Sequence, residues 1–188
     1  MPSPPPASPL TPPLSQHRIG HGYDLHRLRP RSEPDTKPLI VGGVTPEFPS
    51  GITPLGLVAH SDGDVLYHAV VDALMGALGM PDIGQMFPDN AAENASRDSA
   101  DFMREAARRV RNAGYAVVNL DGTVILERPR VGPHKDAMRL NIARLLGCDV
   151  SNVNVKGKSH EKVDAVGEGR AIECHVVVLL EKAMPKRS

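Results

Sequence analysis

AHSDGDVLYHAVVDALMGAL, Ala59 to Leu78, joins a short polar entry to a mostly apolar run. Val65, Leu66, Ala69, Val70, Ala73, Leu74, Ala77 and Leu78 recur at helical spacing. They predict a helix from about Asp62 to Leu78, with Ser61 or Asp62 as N-cap and Gly79 just past the end. Within it Asp64, His68 and Asp72 fall at i, i+4 and i+8 and form one polar stripe. An ordinary solvated stripe carries long side chains such as Lys, Glu, Arg and Gln. This one is short-chained and metal-competent, so a solvent-facing stripe and a ligand-bearing stripe are both open readings.

On the N-terminal side, HGYDLH (His21–His26) lies in a predicted strand from Arg18 to about Leu25. Residues two apart on a strand face the same side, so Asp24 and His26 project together while His21 does not, and His21 is read as structural. A polar, Pro-containing stretch (Arg29–Pro38) leads to LIVGG, read as a short strand, and then to loop residues up to about Ala59. On the C-terminal side, a loop with Pro81, Gly84, Pro88 and Asp89 precedes a helix from about Asp98 to Ala113, stopped by Gly114. An extended run from Tyr115 to Glu127 follows, then a helix from Pro133 to Leu146 ended by Gly147. Val153–Lys158 and Ala171–Glu181 read as strands. There is no regular βαβ rhythm and no glycine-rich dinucleotide turn. The expected fold is α+β, a two-layer domain with helices on one face of a mixed sheet. Residues 1–16 are Pro/Ser-rich and read as a disordered tail; 17–188 read as a single catalytic domain.

Bulk properties narrow the function. The 22 basic and 22 acidic side chains cancel, which argues against gripping nucleic acid or an anionic membrane. Aromatics are 3% and Trp is absent, so base-stacking platforms are not expected. Cys148 and Cys174 cannot build a disulfide framework and are read as buried thiols in a reducing compartment. No apolar run is long enough for a bilayer and no secretory signal is visible, so the expected location is cytoplasmic.

Asp24 and His26 from a strand and His68 from a helix would make a three-ligand zinc site. Three N/O ligands leave a fourth tetrahedral position open, the pattern of a catalytic zinc. The alternative is two solvated faces. Further on, SHEKVDAVGEGRA (Ser159–Ala171) places Glu161 after a strand and before a glycine-rich turn. A hard oxygen ligand there suits magnesium shared with a diphosphate, although charged loops of this composition are common.

RIGHGYDLHRL, AHSDGDVLYHAVVDALMGALGMPDIGQMFPD and VNVKGKSHEK together resemble the 2-C-methyl-D-erythritol 2,4-cyclodiphosphate synthase family in order, content and spacing, from about Arg18 to Lys182. The resemblance implies a homotrimer with active sites between subunits. It implies a lyase reaction of the non-mevalonate isoprenoid pathway: the substrate's 2-phosphate attacks the β-phosphorus of its cytidine diphosphate arm, and cytidine monophosphate leaves. The zinc ligands it implies are Asp24, His26 and His68, and Glu161 would hold magnesium or manganese with the substrate diphosphate. His60 and Ser159 correspond to the catalytic positions; His60 and Ser61 resemble the pair that contacts phosphate and erythritol. Asp82, Ile83 and Gly84 resemble the ribose segment, and Phe87, Pro88 and Asp89 the methylerythritol loop. Leu126 to Gly132, with Arg130 and Val131, corresponds to the cytosine and phosphate loop. Leu25 and His160, beside implied ligands, are grouped with the substrate contacts. The chain departs from the family pattern after Glu161, where Asp164 and Ala165 replace a Gly-Phe pair and Glu168 and Arg170 exchange the usual order. A two-residue deletion is the alternative register. In the ungapped one, if the segment is extended, Arg170 faces the same side as the usual arginine; the expectation is that Glu168 and Arg170 pair between subunits, that prenyl diphosphates bind weakly and that the missing Phe at Ala165 loosens one wall of the substrate pocket. A zinc phosphohydrolase and a non-catalytic nucleotide-binding trimer are the rival readings.

Overall fold

The computed structural model describes residues 15–88 and 97–183. The tail expected over 1–16 therefore lies almost wholly outside the described residues, as does Asp89. A long strand, β1 (His17–Pro30), sits near the middle of one mixed sheet. Across it come β2 (Lys37–Pro38), β3 (Leu55–Val58), β4 (Tyr115–Ile125), β5 (Val153–Lys158) and β6 (Ala171–Lys182), in the spatial order β2-β3-β1-β6-β4-β5. Only the β4–β5 pair is parallel. The α+β expectation holds. β1 runs further than the alternation implied because Arg27–Pro30 pair with β3. β3 itself falls in residues read as loop, since four residues including Gly56 leave too little pattern to recognise. LIVGG is corrected: only a Val41–Val44 bridge forms, and Leu39 and Val41 are buried in the core instead.

α1 (Val65–Leu78) is nearly buried all round. It lies on β1 and β6 with one side and against α3 (Ser99–Asn112) with the other, which is why apolar residues occupy so much of its circumference. Two glycines of β1 set the approach. A Cβ on Gly20 would come within 1.9 Å of Ala73 O, and one on Gly22 within 1.9 Å of Ala69 O. The helix backbone thus rests directly on the strand, on the face that Gly20, Gly22, Asp24 and His26 share. The helix starts later than expected: Asp64, not Ser61 or Asp62, is its N-cap and accepts from the N–H groups of Leu66 and Tyr67. Gly79, at φ 66°, ends it as expected.

A single turn, α2 (Ile83–Met86), follows, and α4 (Lys135–Leu146) packs on α3 and β5. The second strand–helix corner, residues 159–170, is not extended. It folds into a short turn, α5 (Asp164–Gly167), held by Asp164 Oδ1 accepting from the N–H groups of Val166 and Gly167. Glu168 and Arg170 then pair within one chain, Arg170 Nε to Glu168 Oε2 at 2.6 Å. The helices α1, α3 and α4 lie against one face of the sheet, whereas Val166 of α5 packs with Ile125 and Ala171 outside the main core. On the other face, Ile19 is 71% exposed, and Tyr23, Leu25 and Val177 are also exposed.

Candidate active site

His26 donates Nδ1–H to its neighbour's carbonyl, Leu25 O, at 2.9 Å. That leaves a lone pair on Nε2, which is buried and has no hydrogen-bond partner. It faces Asp24 Oδ2 at 3.4 Å. Burial pushes the His26 pKa down against the pull of Asp24, which favours the neutral ring and a bare Nε2. Asp24 spends Oδ1 on the N–H of Leu25 at 2.9 Å and turns Oδ2 inward, 3.0 Å from His68 Nδ1. The ligand atoms of Asp24, His26 and His68 lie within 4.8 Å of one another. A buried lone pair facing a carboxylate oxygen without a proton between them is satisfied by a cation, and a two-nitrogen, one-oxygen donor set fits a zinc-like ion. His68 is only 8% exposed. Burial lowers its pKa, but the hydrogen bond and charge of Asp24 outweigh that and raise it overall.

The stripe predicted on α1 divides its work. Asp64 is fully buried, and besides capping α1 it accepts from the N–H groups of Gly42 (2.8 Å) and Gly43 (2.6 Å), tying the LIVGG segment to the helix start. Burial pushes its pKa up, and those donors pull the other way. Asp72 Oδ1 accepts from Ile83 N–H at 2.8 Å and fixes α2. Only His68 joins the cluster. Its Nε2 lies 2.8 Å from Ser99 Oγ and 3.3 Å from Ser61 Oγ.

The cluster opens into a cleft of about 560 Å³, bordered by His60, Ser61, Ile83, Gly84 and Phe87 along with Asp24, His26 and His68. Two contributors to this cleft escaped the sequence reading. Lys37 Nζ donates to the carbonyls of His60 (2.6 Å) and Ser61 (2.5 Å), pinning the loop that carries both. Phe102 stacks on Phe87 with ring centroids 4.4 Å apart, and Arg97 lies over both rings. No local pattern announced Lys37 as a clamp, because its partners are backbone atoms more than twenty residues away.

A second cleft of about 440 Å³ holds Leu126, Arg130, Val131, Gly132 and Ser159, with Lys135 and Lys158 adding positive charge. The two clefts share no residue, and β6 separates the strands that carry them. Within one chain, the expected site residues therefore gather in two groups rather than one. His160 and Glu161 line neither cleft. His160 contacts Asp164 (2.9 Å) and Glu173 (3.5 Å), and Glu161 sits exposed at φ 49°. Leu25 points to the uncovered sheet face. Asp82 caps α2 through Gln85 N–H, beside Ile83 and Gly84, and Pro88 ends the described segment. Both cysteines are free thiols, Cys174 buried and Cys148 half-buried. Among the described residues, no helix is long and apolar enough to cross a membrane.

Residues 17–181 match the model of the YgbB family. A protein of Arabidopsis thaliana named 2-C-methyl-D-erythritol 2,4-cyclodiphosphate synthase, chloroplastic, is 52% identical over 165 residues, covering 88% of this chain and 67% of its own length. The synthase of the same name from Chromobacterium violaceum is 51% identical over 88% of this chain and 99% of its own. Among solved structures, Plasmodium falciparum IspF in complex with CDP superposes with a TM-score of 0.74 at 38% identity, covering 89% of this chain and 97% of that one. At such identity over nearly the whole folded region, with a site built from the same segments that carry the sequence resemblance, this chain belongs to the YgbB family, that of the 2-C-methyl-D-erythritol 2,4-cyclodiphosphate synthases.

Proposed function

We propose that this enzyme, a phosphorus–oxygen lyase, converts 4-diphosphocytidyl-2-C-methyl-D-erythritol 2-phosphate to 2-C-methyl-D-erythritol 2,4-cyclodiphosphate and releases cytidine monophosphate. The observation that carries this reading is the Asp24–His26–His68 cluster, with its unpartnered His26 lone pair, at the floor of a cleft in a chain of this family. In the reaction an oxygen of the 2-phosphate bonds to the β-phosphorus. The bond from that phosphorus to the oxygen bridging it to the α-phosphorus breaks, and cytidine monophosphate keeps that oxygen. The attacking phosphate is already ionised near neutral pH, so positioning and charge neutralisation supply the rate.

Asp24, His26 and His68 would hold zinc, which when bound would supply positive charge and orientation for phosphate oxygens placed in the cleft. His60 and Ser61 border that cleft on a loop held still by Lys37. Phe87 and Gly84 shape the wall against the erythritol and ribose portions. The basic second cleft, with Arg130 and the Ser159 hydroxyl, receives the cytidine monophosphate portion. Glu161, exposed at the 159–170 corner, would supply one oxygen ligand to magnesium or manganese carried in with the diphosphate.

Because the two clefts are separate within a chain, we assign the working unit to a homotrimer in which one subunit's zinc cleft meets its neighbour's basic cleft. The uncovered sheet face, with Ile19, Tyr23, Leu25 and Val177 exposed, supports this assembly, since an apolar face of this kind is covered in stable proteins. Incubation with the cytidylylated substrate and magnesium, followed by phosphorus resonances, tests the reaction. A cyclic diphosphate with stoichiometric cytidine monophosphate is expected. Incorporation of labelled oxygen from water into an open product would identify a hydrolase instead.

A further inference from the structure

His68 faces the metal cluster with one ring nitrogen and a buried hydroxyl with the other. Nδ1 is 3.0 Å from Asp24 Oδ2, while Nε2 is 2.8 Å from Ser99 Oγ. Ser99 belongs to the first turn of α3 and is fully buried. Its hydroxyl has little freedom of direction. Ser99 Oγ donates to Asp62 Oδ1 in a short hydrogen bond, and the Ser99 N–H donates to Asp62 Oδ2 at 3.1 Å. One carboxylate thus grips Ser99 by two atoms. A serine hydroxyl carries a single proton and two lone pairs. With that proton given to Asp62, only a lone pair remains for His68, and the 2.8 Å contact must be donated by His68 Nε2–H. Ser61 Oγ accepts from Gly63 N–H and lies farther from Nε2, at 3.3 Å, so the closer Ser99 contact sets the direction and Ser61 shares the same N–H through its second lone pair.

We propose that Asp62 and Ser99 are positioning residues that hold the His68 proton on Nε2 and so present the Nδ1 lone pair to the metal. The inference rests on the zinc reading above. Metal-bound histidines commonly give their second ring N–H to a carboxylate or carbonyl that fixes tautomer and orientation. Here a serine is inserted, and the carboxylate acts through it. The arrangement also explains a tie that the mechanism above leaves unused. Asp62 N–H donates to Arg97 O at 3.1 Å, so the start of α3 is strapped to the Asp62 loop beside His68. A helix remote in sequence thereby sets the orientation of a ligand on α1. The Nε2 proton stays in place with and without metal; without it Nδ1–H donates to Asp24 Oδ2, and loading releases that proton to solvent and puts the ion in its place.

The test reads the tautomer directly. Protein labelled with nitrogen-15 histidine is recorded by long-range proton–nitrogen correlation, before and after loading with one equivalent of zinc. The expected result is a protonated His68 Nε2 in both states, with Nδ1 shifted on zinc binding. Zinc on Nε2, or an exchanging Nε2 proton in the loaded protein, overturns the proposal without any mutation. Zinc affinity by chelator competition provides the second arm. Ser99→Ala should bind zinc about ten- to a hundred-fold more weakly, Ser99→Thr should recover most of that loss, and Asp62→Asn should weaken binding while keeping the packing. Wild-type affinity in both Ser99→Ala and Asp62→Asn overturns the relay alone. A wild type that takes up no zinc overturns the metal reading and the relay with it.

Discussion

At the scale of single residues, the site depends on side chains whose roles differ although their spacing is regular. In the proposed site His68 supplies a ligand atom, and its removal leaves the apolar contacts of α1 intact. His68→Ala should keep a folded circular dichroism spectrum while losing stoichiometric zinc and nearly all turnover. An active variant, or one that still holds zinc tightly, contradicts the assignment. Asp64, four residues earlier, answers a different need. It accepts from the N–H groups of Gly42, Gly43, Leu66 and Tyr67 and is fully buried. Asp64→Ala strands those donors away from water, and each buried unsatisfied donor costs about 1–3 kcal/mol. The variant should lose at least about 3 kcal/mol in urea unfolding, by this count of donors. A loss below about 1 kcal/mol would show that water or a rearranged loop replaces the carboxylate.

Among the elements, the contact between β1 and α1 is the one that makes the metal cluster. Gly20 and Gly22 let the helix backbone touch the strand, and this close approach brings His68 within 3.0 Å of Asp24. Gly22→Ala places a methyl against the carbonyl of Ala69, which a well-packed backbone cannot yield without separating the two elements. The expected outcome is destabilisation of about 2 kcal/mol or more, together with weakened zinc binding even where the fold survives. Unchanged zinc affinity would mean that the cluster does not depend on this approach. α3 offers a contrasting, weak effect. Hydrogen bonds and charge from Arg108 and then Arg109 lower the Glu105 pKa from 4.5 to about 2, against a smaller opposing effect of burial. A depressed carboxylate contributes stability that is present above its unfolded pKa and lost as pH falls through the folded value. Glu105→Gln should therefore cost up to about 1 kcal/mol at neutral pH, since the pairs are partly exposed and screened by solvent. The difference from wild type should shrink between pH 4.5 and 2. An equal cost at both ends of that range would assign the effect to packing.

For the whole molecule, the decisive feature is that one chain carries two separate clefts and a sheet face with exposed apolar residues. In the proposed trimer, His68→Ala and Ser159→Ala damage opposite halves of a shared site. Mixing and refolding these two inactive chains should regenerate some intact sites and restore a fraction of wild-type turnover. Val177→Glu puts a charge on the exposed sheet face and should yield smaller particles by light scattering, with turnover lost in parallel. A fully active monomer contradicts the shared-site reading.

Much of this was legible before any coordinates. The helix over Val65–Leu78, its glycine stop and the pairing of Asp24 with His26 follow from periodicities of 3.6 and 2, which are local properties of the backbone. Segment order and motif spacing also carried the family and its reaction. The strand Leu55–Val58 and the turn Asp164–Gly167 were not legible, because each is too short for a period to register. Tertiary structure alone divided the stripe Asp64, His68 and Asp72 into a cap, a member of the Asp24–His26 cluster and a brace, since their partners lie on other elements. The same holds for Lys37 on the His60 loop and for Ser99 behind His68, whose partners lie 23 and 31 residues away. Local sequence determines which elements form and which faces they show. Which polar group meets which is decided by long-range packing, where a buried donor must find whatever acceptor the fold has brought beside it.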